Sequence, residues 1–232
     1  MTEKFAFPAA PRPAIEVAGG ALQFPVRRIF CVGRNYADHA REMGMGGERA
    51  LPFFFTKPAD AIMPNGSDVP YPSHTSNLHH EVELVVALSG SGSNVNADSA
   101  SSLVFGYAVG NDLTRRDQQG VARDLGRPWD VAKGFDHCAP VSQILPVAKA
   151  GHPVAGRIWL EVNGHLRQQG DLSDMIWKVP EIIAELSTWF DLFGGDLIFT
   201  GTPAGVGPLV AGDRVRAGVD GVGVLEHGIA GR

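Results

Sequence analysis

Three carboxylates carry the clearest chemistry in this chain. Glu81 and Glu83 stand one residue apart in Leu78-His79-His80-Glu81-Val82-Glu83-Leu84-Val85-Val86, an otherwise apolar run that reads as a strand. Successive strand side chains alternate between faces, so Glu81 and Glu83 share one face while Val82 and Leu84 share the other. Two like charges side by side are costly to bury, and a hard divalent cation with oxygen ligands neutralises them directly. Asp112 supplies a third acid where the apolar run from Leu103 to Gly110 gives way to Asn111-Asp112. Together the three suggest a site for Mg²⁺ or Mn²⁺ with positions left for water and substrate. Two other readings fit the same spacing. An exposed sheet face carries such pairs without a metal, and His79-x-Glu81 matches part of the two-histidine, one-carboxylate triad of non-haem iron enzymes.

A second constellation lies upstream. Asn35-Tyr36-Ala37-Asp38-His39-Ala40-Arg41-Glu42 sets His39 and Glu42 three residues apart, on one face of a helical turn. A carboxylate there fixes the imidazole tautomer, so that His39 takes a proton from water near neutral pH; an exposed polar turn has the same pattern. The Gly-rich stretch Met43 to Gly47 suits a mobile lid over residues 36–50. Lys133, a charge among small and apolar neighbours, reads either as a surface lysine or as a group that stabilises an oxyanion beside a metal. The loop Thr200-Gly201-Thr202-Pro203-Ala204-Gly205-Val206-Gly207-Pro208 offers a hydroxyl and backbone N–H groups to an anion. It is not a phosphate-binding Walker loop, and no G-x-G-x-x-G opens a helix elsewhere, so nucleotide binding has little support.

The elements that must position these groups are mostly short strands. Gly (29) and Pro (16) are spread along 232 residues and break the chain into short segments, which suits a sheet-rich fold with many turns. Strands are expected at Arg28 to Val32, Glu81 to Leu88, Leu103 to Val109, Arg157 to Val162, Asp196 to Phe199 and Arg214 to Val219. Asn163-Gly164 is expected to turn a hairpin into Leu166-Arg167-Gln168. Val179, Ile182, Ile183, Leu186, Trp189 and Phe190 repeat at helical spacing, with Pro180 in the first turn and Gly194-Gly195 beyond the end, so a helix spans Pro180 to Phe190. A second helix starts near Thr114, with Thr114-x-x-Asp117 as its cap, and carries Arg116 and Gln119 just past Asp112.

Composition narrows the partners. A net charge of −5 with scattered Lys and Arg argues against nucleic acid and anionic membrane surfaces. No apolar run approaches the ~20 residues of a membrane span, and the N-terminus lacks the pattern of a signal peptide. Cys31 and Cys138 are too few and too far apart for a disulfide framework or a zinc knuckle, which fits a reducing cytoplasm. The expected partner is a small molecule.

Read jointly, the motifs have a known order. Arg34-Asn35-Tyr36-x-x-His39-x-x-Glu42, Thr56-Lys57-Pro58, His79-His80-Glu81-Val82-Glu83-Leu84, Gly110-Asn111-Asp112-x-Thr114-x-Arg116-Asp117-x-Gln119, Lys133-Gly134-Phe135-Asp136, Val162-Asn163-Gly164 and Thr200-Gly201-Thr202-Pro203-x-Gly205-Val206-Gly207 resemble the fumarylacetoacetate hydrolase family, nearest its small acylpyruvate and fumarylpyruvate hydrolase branch. The resemblance runs from about Arg28 to the C-terminus. It implies an α+β, mainly β fold, a mixed β-roll with few helices, in which residues 26–232 form the catalytic domain and 1–25 an N-terminal extension. It further implies a homodimer, and Mg²⁺ or Mn²⁺ on Glu81, Glu83 and Asp112 with His79 outside the ligand set. By position, His39 and Glu42 activate water, Lys133 and Gln119 stabilise the oxyanion, and Arg34, Arg116 and Thr202 bind a 2,4-diketo acid. The implied reaction is hydrolysis of that acid's C–C bond to pyruvate and a carboxylic acid. Decarboxylation or isomerisation of oxaloacetate or a related 2-oxo diacid is the alternative for the same centre.

Overall fold

Apolar runs cut by glycine and proline form sheets whose central strands are buried on both faces. The computed structural model describes residues 5–42 and 49–231. Six strands frame the site: β1 (Arg28–Gly33), β2 (Phe53–Lys57), β3 (Leu78–His80), β4 (Val82–Leu88), β5 (Val104–Asn111) and β6 (Asp196–Phe199). The main sheet runs β2-β1-β6-β4-β5 and continues through Ala139–Val141 to Ile62–Pro64. Strand β6 lies parallel to β1 and antiparallel to β4, so the sheet is mixed. A second sheet pairs His165–Asp171, Arg157–Val162, Arg214–Val219, Gly223–Ala230 and Val69–Pro70. Ile29, Phe30, Leu84, Tyr107, Leu160 and Phe199 pack in the core between these elements. The fold is the mainly β, mixed-sheet architecture that the motifs imply.

Three expected strands, Arg157–Val162, Asp196–Phe199 and Arg214–Val219, match to the residue. The turn after the first is set by Asn163 (φ +53°) and Gly164 (φ +75°), the paired positive φ that a two-residue hairpin needs. Four helices complete the surroundings of the site: α1 (Ala37–Glu42), α2 (Arg116–Asp124), α3 (Asp130–Lys133) and α4 (Val179–Trp189). The stripe of α4 buries Val179, Ile182, Ile183 and Leu186 as its spacing requires, whereas Trp189 and Phe190, expected in the same stripe, lie exposed at its end; its first turn is closed by Glu181, which accepts from the Lys178 N–H. No helix among the described residues is long and apolar enough to cross a membrane.

Two expectations are corrected. The strand drawn from Glu81 to Leu88 begins at Val82, because side chains take the hydrogen bonds that a ladder would supply: Asn111 Oδ1 accepts from Glu81 N–H and Gln168 Oε1 from Val82 N–H. Thr114 does not cap α2. It sits in a two-residue strand paired to β3, its hydroxyl donates to Asp112 O, and Asp117 instead accepts from Thr75 Oγ1 and Ser76 N–H. Near the N-terminus, Ala14–Glu16 pairs with Gln23–Pro25, and Ile15, Val17 and Phe24 join the core. Of the segment 36–50 expected as a lid, residues 43–48 lie outside the described residues.

Candidate active site and metal centre

Glu81 occupies the switch between two sheets, since β3 pairs with Gly207–Leu209 while β4 pairs with β5 and β6. Asp112 N–H donates to Glu81 O at 2.8 Å, and Asn111 Oδ1 accepts from Glu81 N–H at the same distance. These two bonds bring acids from distant stretches of sequence together. Glu83 lies opposite Gly110 in the β4–β5 register. A Cβ at Gly110 would stand 2.5 Å from the Phe199 ring and 2.6 Å from Val85, so only glycine lets the strands close here. The result is one carboxylate oxygen each from Glu81, Glu83 and Asp112, all within 4.8 Å of one another and all buried.

Cations surround the acids. Lys57 Nζ lies 2.7 Å from Asp112 Oδ1, and Lys133 Nζ lies 2.7 Å from Asp112 Oδ2 and 2.8 Å from Glu81 Oε2. Arg116 Nη2 reaches Glu81 Oε1 at 2.5 Å. Burial alone would raise the Glu81 pKa, but Lys133 and Arg116 outweigh it and hold this carboxyl well below its ordinary value. Glu83 goes the other way: burial, then the charges of Asp112 and Glu81, push it well above the ordinary range. Burial would lower Lys57, yet the adjoining Asp112 raises it.

This donor set fits a divalent metal ion. All three donors are hard carboxylate oxygens. Asp112 Oδ1 is buried with Lys57 Nζ, at 2.7 Å, as its cationic neighbour, and it keeps acceptor capacity for a second cation. Glu83, unfavourable as an anion beside two others, gains most from a cation. The iron reading loses its histidine. His79 Nε2 faces Asn77 Oδ1 and its Nδ1 accepts from Arg116 Nε, so it belongs to no metal cluster among the described residues. Burial, then Arg116, lowers the His79 pKa to about 4 and keeps it a neutral acceptor.

One cleft gathers the expected groups. Arg34, His39, Glu81, Glu83, Asp112, Arg116, Gln119, Lys133 and Thr202 all line it, around roughly 800 Å³ of space partly open to solvent. Glu42 stands behind His39, with Oε2 at 3.2 Å from Nδ1, and both its oxygens accept from Gly205 N–H at 3.2 Å. With Nδ1–H donating to Glu42, Nε2 is left as the basic nitrogen. All three kinds of nitrogen on Arg116 are engaged, by Glu81, Gln119 and His79, so it braces Glu81 within the protein. Gln119 accepts from Arg116 through Oε1, which leaves its amide N–H groups for a ligand.

Sequence reasoning missed two members of the assembly. Lys57 entered only as part of a motif, although a lysine closing Phe53-Phe54-Phe55-Thr56 was a visible signal of a buried charge. Gln168, fully buried, donates to Thr202 Oγ1 and Pro203 O and accepts from Val82 N–H, with His80 Nδ1 at 2.8 Å from the same oxygen. Nothing in Arg167-Gln168-Gln169 separates this residue from its exposed neighbours.

Comparison with known proteins agrees with the geometry. Residues 28–230 match the family model described as fumarylacetoacetate (FAA) hydrolase C-terminal. The mitochondrial oxaloacetate tautomerase of Mus musculus is 47% identical over 196 residues, 84% of this chain and 88% of that protein. A fumarylpyruvate hydrolase of a Ralstonia species is 48% identical over 171 residues, 73% of this chain and 88% of that protein. The crystal structure of fumarylpyruvate hydrolase from Pseudomonas aeruginosa, in complex with Mn²⁺ and pyruvate, superposes with a TM-score of 0.97 at 44% identity, covering 99% of this chain and all of that one (100%). With its buried carboxylate triad, its mixed β fold and these relatives, the chain belongs to the fumarylacetoacetate hydrolase family.

Proposed function

We propose that this protein is a metal-dependent hydrolase that cleaves the C–C bond of a 2,4-diketo acid, fumarylpyruvate or another acylpyruvate, to give pyruvate and a carboxylic acid. The observation that carries this reading is His39, paired with Glu42 behind it, in the same cleft as the three carboxylates. A water-activating base beside a site for a Lewis acid is what hydrolytic cleavage between two carbonyls requires. Similarity to fumarylpyruvate hydrolases supports it.

The metal, Mg²⁺ or Mn²⁺ on Glu81, Glu83 and Asp112, supplies Lewis acidity for the pyruvyl oxygens and for the enolate character of the departing pyruvate. The chain's own groups do the rest. His39 Nε2 takes a proton from water while Glu42 holds the ring tautomer and stabilises the imidazolium. Hydroxide adds to the distal carbonyl, and Lys133 with the amide of Gln119 stabilises the resulting oxyanion. As the C–C bond breaks, its electron pair passes to the pyruvyl fragment, which takes up a proton. Thr202, its oxygen already accepting from Gln168, turns its hydroxyl hydrogen to the pyruvyl carboxylate. Arg34 and Arg116 are the carboxylate grips, Arg116 through the N–H donors that its three internal bonds leave over. The reading includes a catalytic domain over 26–232, a homodimer and a cytoplasmic location.

A second reading is isomerisation or decarboxylation of oxaloacetate at the same centre, of which the tautomerase relatives support the isomerisation. Neither consumes water. Initial rates with acetylpyruvate, fumarylpyruvate and oxaloacetate separate the two, using wild type and His39→Ala with Mg²⁺. Hydrolysis by the dyad predicts a loss of about 10²–10⁴ in kcat on the diketo acids for the variant. Turnover of oxaloacetate alone, at a rate that His39→Ala retains, selects the second reading.

A further inference from the structure

Beyond the metal centre the cleft continues to Arg123, which the reaction above leaves without a role, and to Arg34, whose target carboxylate it does not specify. Along α2, Arg116, Gln119, Gly120 and Arg123 follow the spacing i, i+3, i+4, i+7, and all four line the cleft. Arg116 is fixed on Glu81, so Arg123 stands two turns further out on the same face, roughly 10 Å along the axis. Between them, a Cβ built on Gly120 meets nothing within 4 Å, so the trough is open at that point. Aromatic rings line the cleft as well. Lys133 Nζ lies 5.2 Å from the Phe55 ring, Phe55 lies 6.4 Å from Phe53, and the Arg34 guanidinium lies 5.2 Å from the Phe53 ring. Arg34 and Arg123 line the same cleft, and both are exposed to solvent.

Both arginines are available to a ligand. Among the described residues no carboxylate lies within salt-bridge distance of Arg34, and Arg123 has only its exposed neighbour Asp124, a pair of little strength in solvent. Arg34 is also held at φ +63°, a conformation that costs energy for any residue with a Cβ. Asn35 enforces it, donating to Trp177 O and Thr200 O and accepting from Trp177 N–H. The locked backbone fixes where the side chain leaves the chain, and the guanidinium rests over the Phe53 ring.

We infer that Arg34 and Arg123 form a subsite for a carboxylate at the far end of the substrate, so that the cleft selects 2,4-diketo acids ending in a carboxylate over those ending in a methyl group. A seven-carbon chain spans roughly 7 Å between its terminal carbons in extended form, long enough to carry its second carboxylate away from the metal centre and along the cleft that both arginines line. Oxaloacetate, three carbons shorter, leaves them empty. This inference rests on the proposed substrate class, but not on turnover.

The test uses the Mg²⁺-loaded protein and two inert probes, 2-oxoheptanedioate and 2-oxoheptanoate, which share the pyruvyl end and lack the second ketone. Calorimetry is expected to show the diacid binding the wild type tenfold or more tightly than the monoacid. In Arg123→Gln or Arg34→Gln that ratio is expected to collapse to within about threefold. Equal binding of both probes by the wild type, or a ratio that both variants preserve, overturns the subsite. If the ratio behaves as expected and no acylpyruvate is cleaved, the subsite stands and the proposed activity fails.

Discussion

Lys57 Nζ sits 2.7 Å from Asp112 Oδ1 with both side chains buried, on the carboxylate oxygen that Lys133 does not touch. Lys57 also donates to Leu113 O and Lys133 O, so one ammonium ties the aspartate to the main chain at two places. Replacing it by an uncharged side chain leaves Asp112 one cation short in a low-dielectric site. Lys57→Met is expected to lose about 3–5 kcal/mol of stability. Urea denaturation of the metal-free protein measures this, and a loss below about 1 kcal/mol contradicts the role given to Lys57.

The position of Glu83 sets a pH dependence. Its pKa is raised in the folded protein, first by burial and then by Asp112 and Glu81. Below the unfolded value of about 4.3 the proton is held in both states and this contribution to stability is complete. As pH rises from there toward the folded value, metal-free stability falls by up to about 1.4 kcal/mol per pH unit. Metal binding requires the anion and expels that proton, so affinity grows with pH. The rise in Tm produced by saturating Mg²⁺ should be larger at about pH 8 than at about pH 6. Equal shifts at the two values count against a protonated Glu83 in the metal-free state.

Gln168 links Thr202 and Pro203 to His80 and to Val82, the first residue of β4. Gln168→Leu keeps the volume and removes every one of these partners at once. It should cost roughly 2–4 kcal/mol, because several buried polar groups lose their partner together. Thermal unfolding gives the number, and a neutral result means that water or a local shift replaces the amide.

Gly205 combines a left-handed backbone, φ +95°, with close contact: a Cβ there would lie 2.3 Å from Arg167 O. The same residue's N–H holds Glu42. Gly205→Ala is expected to destabilise the protein by about 1–3 kcal/mol, and to lower kcat on an acylpyruvate by more than it changes Mg²⁺ affinity. A parallel loss of metal binding places the damage at the carboxylates instead.

Much of the fold was legible because its signals were local. Arg157–Val162 and Arg214–Val219 are apolar runs bounded by turn residues, and α4 carries an apolar stripe that a helix must bury. The three carboxylates were legible for another reason, that an acid in an apolar run demands an explanation. What could not be read was long-range. The break at Glu81 depends on an Asn111 side chain from another strand, and the role of Gln168 depends on a loop more than thirty positions away in sequence, contacted through Thr202 with |i−j| of 34. The Thr114 cap failed for the same reason, since pairing with β3 offered its backbone more than a helix start did. Arg123 was hidden because a charged residue on an amphipathic helix looks like any other solvated position until the cleft beside it is seen.

The most direct test of the central claim is the product balance from fumarylpyruvate, measured for the wild type with Mg²⁺ and after metal removal by EDTA. Fumarate and pyruvate are expected in equal amounts, with formation that stops with EDTA and recovers when Mg²⁺ or Mn²⁺ is restored. An intact diketo acid beside rapid metal-dependent conversion of oxaloacetate would contradict it.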